Sequence, residues 1–151
     1  MRLTLSFYGD VQLDRTLARF GDNLGDARAL WDDLTNRFVR LERRQFATEG
    51  AYASGGWPEL SPRYAHWKAR HYPGKPILQR GGLLHESLTE RPLGVEVLEP
   101  GFMVIGSGVG YGGYHQKGGG TLPRRRPVEF PESTRRDWVR RIQRFIVTGD
   151  V

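Results

Sequence analysis

The chain has 151 residues, a formal net charge of +6 and no cysteine, with a sequence pI near 10.1. Disulfide staples and thiolate metal sites are therefore excluded, and a metal would have to rely on the four histidines and the carboxylates. No apolar run approaches the roughly 20 residues that span a bilayer, so the expectation is a soluble, single-domain protein over 1–151, made in a cytoplasm, with no membrane contact and one core.

The segment Met1 to Tyr8 alternates Leu3, Leu5 and Phe7 with Arg2, Thr4 and Ser6, the period of a strand with one buried face. A short helix is predicted from Val11 to about Phe20, carrying Leu13 and Leu17 and closed by Gly21. Between Asp26 and Glu49 the apolar residues Ala27, Leu30, Trp31, Leu34, Phe38, Leu41 and Phe46 recur mostly three or four apart. That spacing predicts an amphipathic helix laid over a sheet.

Glycine and proline then crowd Gly50 to Gly82, which predicts a long, mostly irregular excursion. Inside it, Ser61-Pro62 has the form of an N-cap followed by proline in the first turn, starting a short helix through Tyr64 and Trp67. Another short helix is expected from Leu83 to Leu88. Strands at Gly94–Leu98 and Phe102–Gly106 flank Glu99-Pro100-Gly101 and predict a hairpin. Eight glycines within Gly106 to Gly120 argue for a loop with at most one helical turn around Tyr111 to Gln116, extending the second irregular region to Arg126. A last helix is expected from Glu132 or Ser133, with Trp138, Val139, Ile142, Phe145 and Ile146 as its apolar stripe. The element order gives an α+β fold, a small and mostly antiparallel sheet with helices on one face and long irregular loops over about 50–82 and 106–126.

Charge is unevenly placed. Residues 1–49 hold eight basic and eight acidic side chains, whereas 50–151 hold fifteen and nine. The densest part, Arg124 to Arg144, has eight arginines against Glu129, Glu132 and Asp137. Within the last helix Asp137 stands four before Arg141 and can pair with it. The triplet Arg124, Arg125 and Arg126 lies between prolines in an extended loop, where it is expected to face a partner's carboxylates or DNA.

No catalytic pattern stands out. His66, His71, His85 and His115 match no metal-site spacing, and Ser54, Ser61, Ser87 and Ser107 lack the Gly-x-Ser-x-Gly elbow. Gly106-Ser-Gly-Val-Gly110 follows a strand but lacks the lysine and hydroxyl of a phosphate loop. Trp57, in a Gly-Gly-Trp-Pro loop, can either pack over the next helix or grip a neighbouring subunit.

Three segments in order carry a resemblance: Gly56-Trp-Pro-Glu-Leu-Ser-Pro62, then Lys75-Pro-Ile-Leu-Gln-Arg-Gly-Gly-Leu-Leu-His-Glu-Ser-Leu88, then Tyr111-Gly-Gly-Tyr-His-Gln116 leading to Pro123-Arg-Arg-Arg-Pro127. Together with the order of elements they resemble the phage virion morphogenesis family of tail-completion and neck proteins, over nearly the whole chain. Arg80-Gly81 stands where that family has Thr-Gly, Lys117 replaces an aromatic, and Pro-Arg-Arg-Arg-Pro-Val replaces Pro-Ala-Arg-Pro-Phe. The resemblance implies a structural virion protein with no catalysis and no cofactor, which finishes a tail or joins it to the head. Its expected partners are copies of itself in a ring, expected to be hexameric, and neighbouring neck or tail proteins, with non-specific contact to DNA in the channel. Trp57, Tyr111, Tyr114, His115 and Gln116 are the expected interface residues. A basic nucleic-acid-binding module is the alternative reading.

Overall fold

A computed structural model describes residues 10–151, so the strand expected at Met1–Tyr8 lies outside the described residues. Helix α1 spans Asp10–Gly25, α2 Arg28–Ala47, α3 Ala51–Ser54, α4 Pro62–His71 and α5 Leu83–Thr89. Strands β1 (Val95–Glu99) and β2 (Phe102–Gly106) follow, then α6 (Gly110–Lys117) and α7 (Glu132–Thr148). The fold class is α+β. The strands pair antiparallel with Val97 opposite Val104 about the Pro100-Gly101 turn, as the turn residues require.

Helix α2 is the centre of the molecule. Its apolar residues divide between two clusters. Leu30 and Leu34 meet Ala27 and Phe145, while Phe38, Val39 and Phe46 meet Trp57, Leu84, Leu88 and Leu93. Trp138 of α7 packs against both. Each such Leu or Phe, fully buried, contributes about 1.5–3 kcal/mol, so the two clusters dominate the stabilising side of folding.

Helix α2 covers the inner face of the hairpin, as expected, but is not confined to it. Two strands cannot wall a core, and α2 instead takes neighbours on most sides: α3, α5, α7 and the hairpin. The outer face of the hairpin, with Val97, Phe102 and Val104, stays exposed. Burial on several sides also takes polar positions of α2 inside, and Thr35, Glu42 and Gln45 are each fully buried.

Helix α7 begins at Glu132 as the sequence suggests. Asp137 accepts from Arg141 Nε at 2.9 Å, and Arg141 also lies 3.9 Å from Asp33 of α2. Of its expected stripe, Phe145 is buried but Val139 is exposed, because α1 crosses only part of the helix. Asn23 of α1 donates to the carbonyls of Phe145 and Ile146, at 3.2 and 3.0 Å, capping α7. Helix α1, of 16 residues, runs through Gly21, where it is expected to close, to Gly25, and leaves Val11, Leu13, Leu17 and Leu24 more than half exposed.

The stretches 50–82 and 106–126, expected to be mostly irregular apart from a short helix from Pro62 and at most one helical turn around Tyr111 to Gln116, carry α3, that helix as α4, and a longer α6, with connecting loops. The glycine-rich α6 forms because it packs. A Cβ on Gly112 would stand 2.9 Å from Leu84 Cδ1, so the missing side chain lets α6 rest directly on α5, and that contact offsets glycine's poor helix propensity.

Candidate functional site

The three segments singled out in the sequence converge on one cleft of about 860 Å³. Its walls include Leu60, Leu78, Leu83, Leu122, Tyr64 and Tyr111, and its polar lining includes Lys68, Arg80, His115 and Arg125.

Trp57 begins the arrangement. The indole is 7 % exposed and meets Phe46 edge-on with centroids 5.3 Å apart. Its Nε1 donates to the Arg126 carbonyl at 2.8 Å. Gly50, at φ 85, lies beneath it, and a Cβ there would fall 2.3 Å from Trp57 Cδ1. Only glycine satisfies both the left-handed backbone and the indole. Gln45 completes the join, its Nε2 donating to Ser54 Oγ at 2.8 Å and to the Arg126 carbonyl at 3.3 Å.

The arginine triplet divides three ways, which corrects the expectation that all of it faces a partner or DNA. Arg124 is exposed and donates from Nε to the Gln116 carbonyl at 3.2 Å. Arg125 is 4 % exposed and donates from Nε to the Pro58 carbonyl and from Nη2 to the Glu59 carbonyl, both at 2.6 Å. Arg126 pairs with Glu129 at 2.6 Å. One arginine of the three thus staples the loop before α4 to the strand-like run after α6.

Gln116 is likewise turned inward, donating to the Val128 carbonyl at 2.7 Å and accepting from the Val128 amide at 3.2 Å. Trp57 and Gln116, expected at an interface, are therefore internal fasteners. Tyr114 is 71 % exposed and Tyr111 44 %, so both remain available. His115 is half-buried, and burial together with the nearby Arg125 holds its imidazole below the ordinary pKa. Its buried Nδ1 has no hydrogen-bond partner among the described residues.

Lys68 of α4 is 5 % exposed. Its Nζ donates to the Pro76 carbonyl at 2.5 Å, and burial pulls its pKa down. On the adjoining stretch Ile77 N donates to Glu49 Oε1 at 2.6 Å. Leu78 holds φ 63, a conformation costing a β-carbon residue about 1–2 kcal/mol. It is maintained where the chain turns Leu78 to line the cleft and pack against the core. Above the opening, Tyr64 stacks on Trp67 (5.5 Å) and Trp67 on His71 (4.7 Å), a partly exposed aromatic ladder along α4.

Several of the remaining sequence candidates have structural partners. Ser107 Oγ lies 2.6 Å from Ser87 Oγ and accepts from the Val109 amide at 3.1 Å, so the Gly106–Gly110 run is spent on joining the hairpin to α5. His85 meets Phe46 edge-on at 5.1 Å, and His71 Nδ1 lies 2.8 Å from the Trp67 carbonyl. Among the described residues no group of three His, Asp or Glu is placed to hold a metal, and no helix is long and apolar enough to cross a membrane.

Sequence reasoning missed Glu42. Both carboxylate oxygens are buried without a partner among the described residues, and burial pushes its pKa up to about 9. No local signal marks it, because glutamate in an arginine-rich helix normally sits in water. No family model, curated protein or solved structure matches the chain.

Proposed function

We propose that this chain is a structural subunit of a tailed-phage virion, acting in tail completion or head–tail joining as part of a ring, without catalysis. One observation carries the reading. The three segments that bear the resemblance, distant in sequence, form a single cleft with an exposed aromatic margin. A segment order arising by chance has no reason to converge on one surface. Tyr111 lines that margin and Tyr114, three residues on in α6, is exposed, and exposed tyrosines are favoured anchors of protein interfaces. Rings satisfy such contacts by closure.

Immunogold electron microscopy of virions is expected to place the protein at the neck or upper tail, and its absence from particles would overturn the proposal. The double variant Tyr111→Ser, Tyr114→Ser should fold as the parent does. Anchor truncation costs about 2 kcal/mol or more, so its incorporation is expected to fall roughly 30-fold or further at limiting concentration. Normal incorporation would remove the tyrosines from the interface.

A second reading, a basic nucleic-acid-binding module, is favoured by α7. Arg135, Arg136, Arg140 and Arg144 are exposed there, and of them only Arg140 has an acidic neighbour among the described residues, Asp137 at 3.7 Å. Four phosphate contacts would give a logarithmic salt slope near about −3.6. Mobility shifts of duplex DNA over a salt series test this, and a slope near zero would reject it.

A further inference from the structure

The cleft lining carries Lys68, Arg80 and Arg125 against one carboxylate, Glu59, while the nearby charge of Glu49 acts on Lys68 without forming an ion pair among the described residues. Lys68 and Arg125 are both at least nine-tenths buried and both line it, yet neither forms an ion pair among the described residues. Each is satisfied only in part, and by neutral carbonyls: Pro76 for Lys68, Pro58 and Glu59 for Arg125. Arg125 Nη1 makes no hydrogen bond among the described residues, and Lys68 Nζ, which carries three N–H groups, makes one. Buried cations are normally paired. Here the walls next to them are carbon, chiefly Leu60, Leu78, Leu83 and Leu122.

We propose that the cleft is a docking site for a partner protein's peptide segment in which an Asp or Glu is flanked by apolar side chains, the carboxylate reaching Lys68 and Arg125. The volume suits a few side chains. A two-oxygen carboxylate matches the few free donors, whereas phosphate is usually met by several converging N–H groups. Duplex DNA is a poor fit, since its phosphates lie on a wide polar surface and these cations are recessed behind leucines. Tyr64 and Tyr111 supply flat apolar area at the opening, and Arg80 adds a cation at the edge. The identity of the partner as a neighbouring virion subunit rests on the function proposed above; the chemistry of the occupant does not.

The test uses the full isolated chain, so it can fail or succeed independently of ring formation. A random dodecapeptide display library is panned on the chain, with counter-selection on Leu83→Glu. Leu83 is 61 % exposed at the cleft, so this variant is expected to fold normally while placing a negative charge in the opening. Enriched peptides are expected to share an Asp or Glu beside Leu, Phe or Trp. The best of them, made synthetically with a fluorescent label, should lose at least tenfold in affinity when its acid is changed to the amide, and equally on Leu83→Glu. Lys68→Met gives a second readout, as the acidic peptide should weaken and its amide analogue should not. Failure to enrich, enrichment of peptides without a carboxylate, equal binding to Leu83→Glu, or displacement by inorganic phosphate or a short DNA duplex at equal concentration would each overturn the proposal.

Discussion

Glu42→Leu is expected to stabilise the chain by about 3–5 kcal/mol at pH 8 and by far less at pH 5, a difference set by 1.36 kcal/mol per pKa unit. The Glu42 carboxyl is fully buried, has no partner among the described residues, and is pushed by burial from an ordinary 4.5 up to about 9. Between those values the folded chain holds a proton that the unfolded chain releases. Stability is therefore fully present below the unfolded pKa and is lost as pH rises through the folded one. Leucine does not titrate and adds apolar contact with the cluster around Phe38 and Phe46, one turn either side. Glu42→Gln removes the titration while keeping a polar group, and separates the two effects. Other groups act in the opposite sense at low pH. Asp137 and Glu96 are held below the usual carboxylate range by hydrogen bonds from Arg141 and Arg91, so their contribution is lost as pH falls. Urea unfolding of wild type and both variants at pH 5, 7 and 8.5 cancels these shared terms, and parallel stability profiles would show that Glu42 is not a buried neutral acid.

Trp57→Ala is expected to cost about 3–5 kcal/mol, the range for a large aromatic truncated in a core. Three losses coincide. The edge-on contact with Phe46 disappears, the Arg126 carbonyl loses its 2.8 Å donor, and the space over Gly50 empties. Trp57→Phe keeps much of the packing and should cost less, with the difference reporting the hydrogen bond and the lost ring. The damage should spread to the cleft, because the same carbonyl accepts from Gln45 and belongs to the residue after Arg125. Hydrogen exchange is expected to show α6 and residues 123–128 opening in Trp57→Ala while the α1–α7 contact stays protected. A loss below about 1 kcal/mol would return Trp57 to the role of a surface residue.

How legible the molecule is from its sequence follows from the range of the interactions. The helices α2, α4, α5 and α7 and the hairpin were readable because apolar spacing, the Ser61-Pro62 start and the Glu99-Pro100-Gly101 turn act over a few neighbouring residues. The α+β class also comes from the sequence alone. Helix α6 was only partly readable, since glycine content argues against a helix and the packing that overrides it, Gly112 on Leu84, joins residues far apart in the chain.

The site divides along the same line. The sequence suggests an interface for Tyr111, Tyr114, Trp57 and Gln116 and a partner or DNA for Arg125; Tyr111 and Tyr114 are exposed, whereas Trp57, Gln116 and Arg125 turn inward. Their residue types do not determine this. An arginine between prolines is ordinarily solvated, and Arg125 is buried because the Pro58 and Glu59 carbonyls, 67 and 66 residues away, lie where its guanidinium can reach them. Glu42 is the converse case, a charged residue type carried inside because α2 is packed on more sides than its amphipathic pattern indicates. The sequence by itself determined the local elements and where the charge is concentrated along the chain. Only the tertiary structure decided which charges meet water and that three distant segments form one cleft, because burial is set by what packs from elsewhere in the chain.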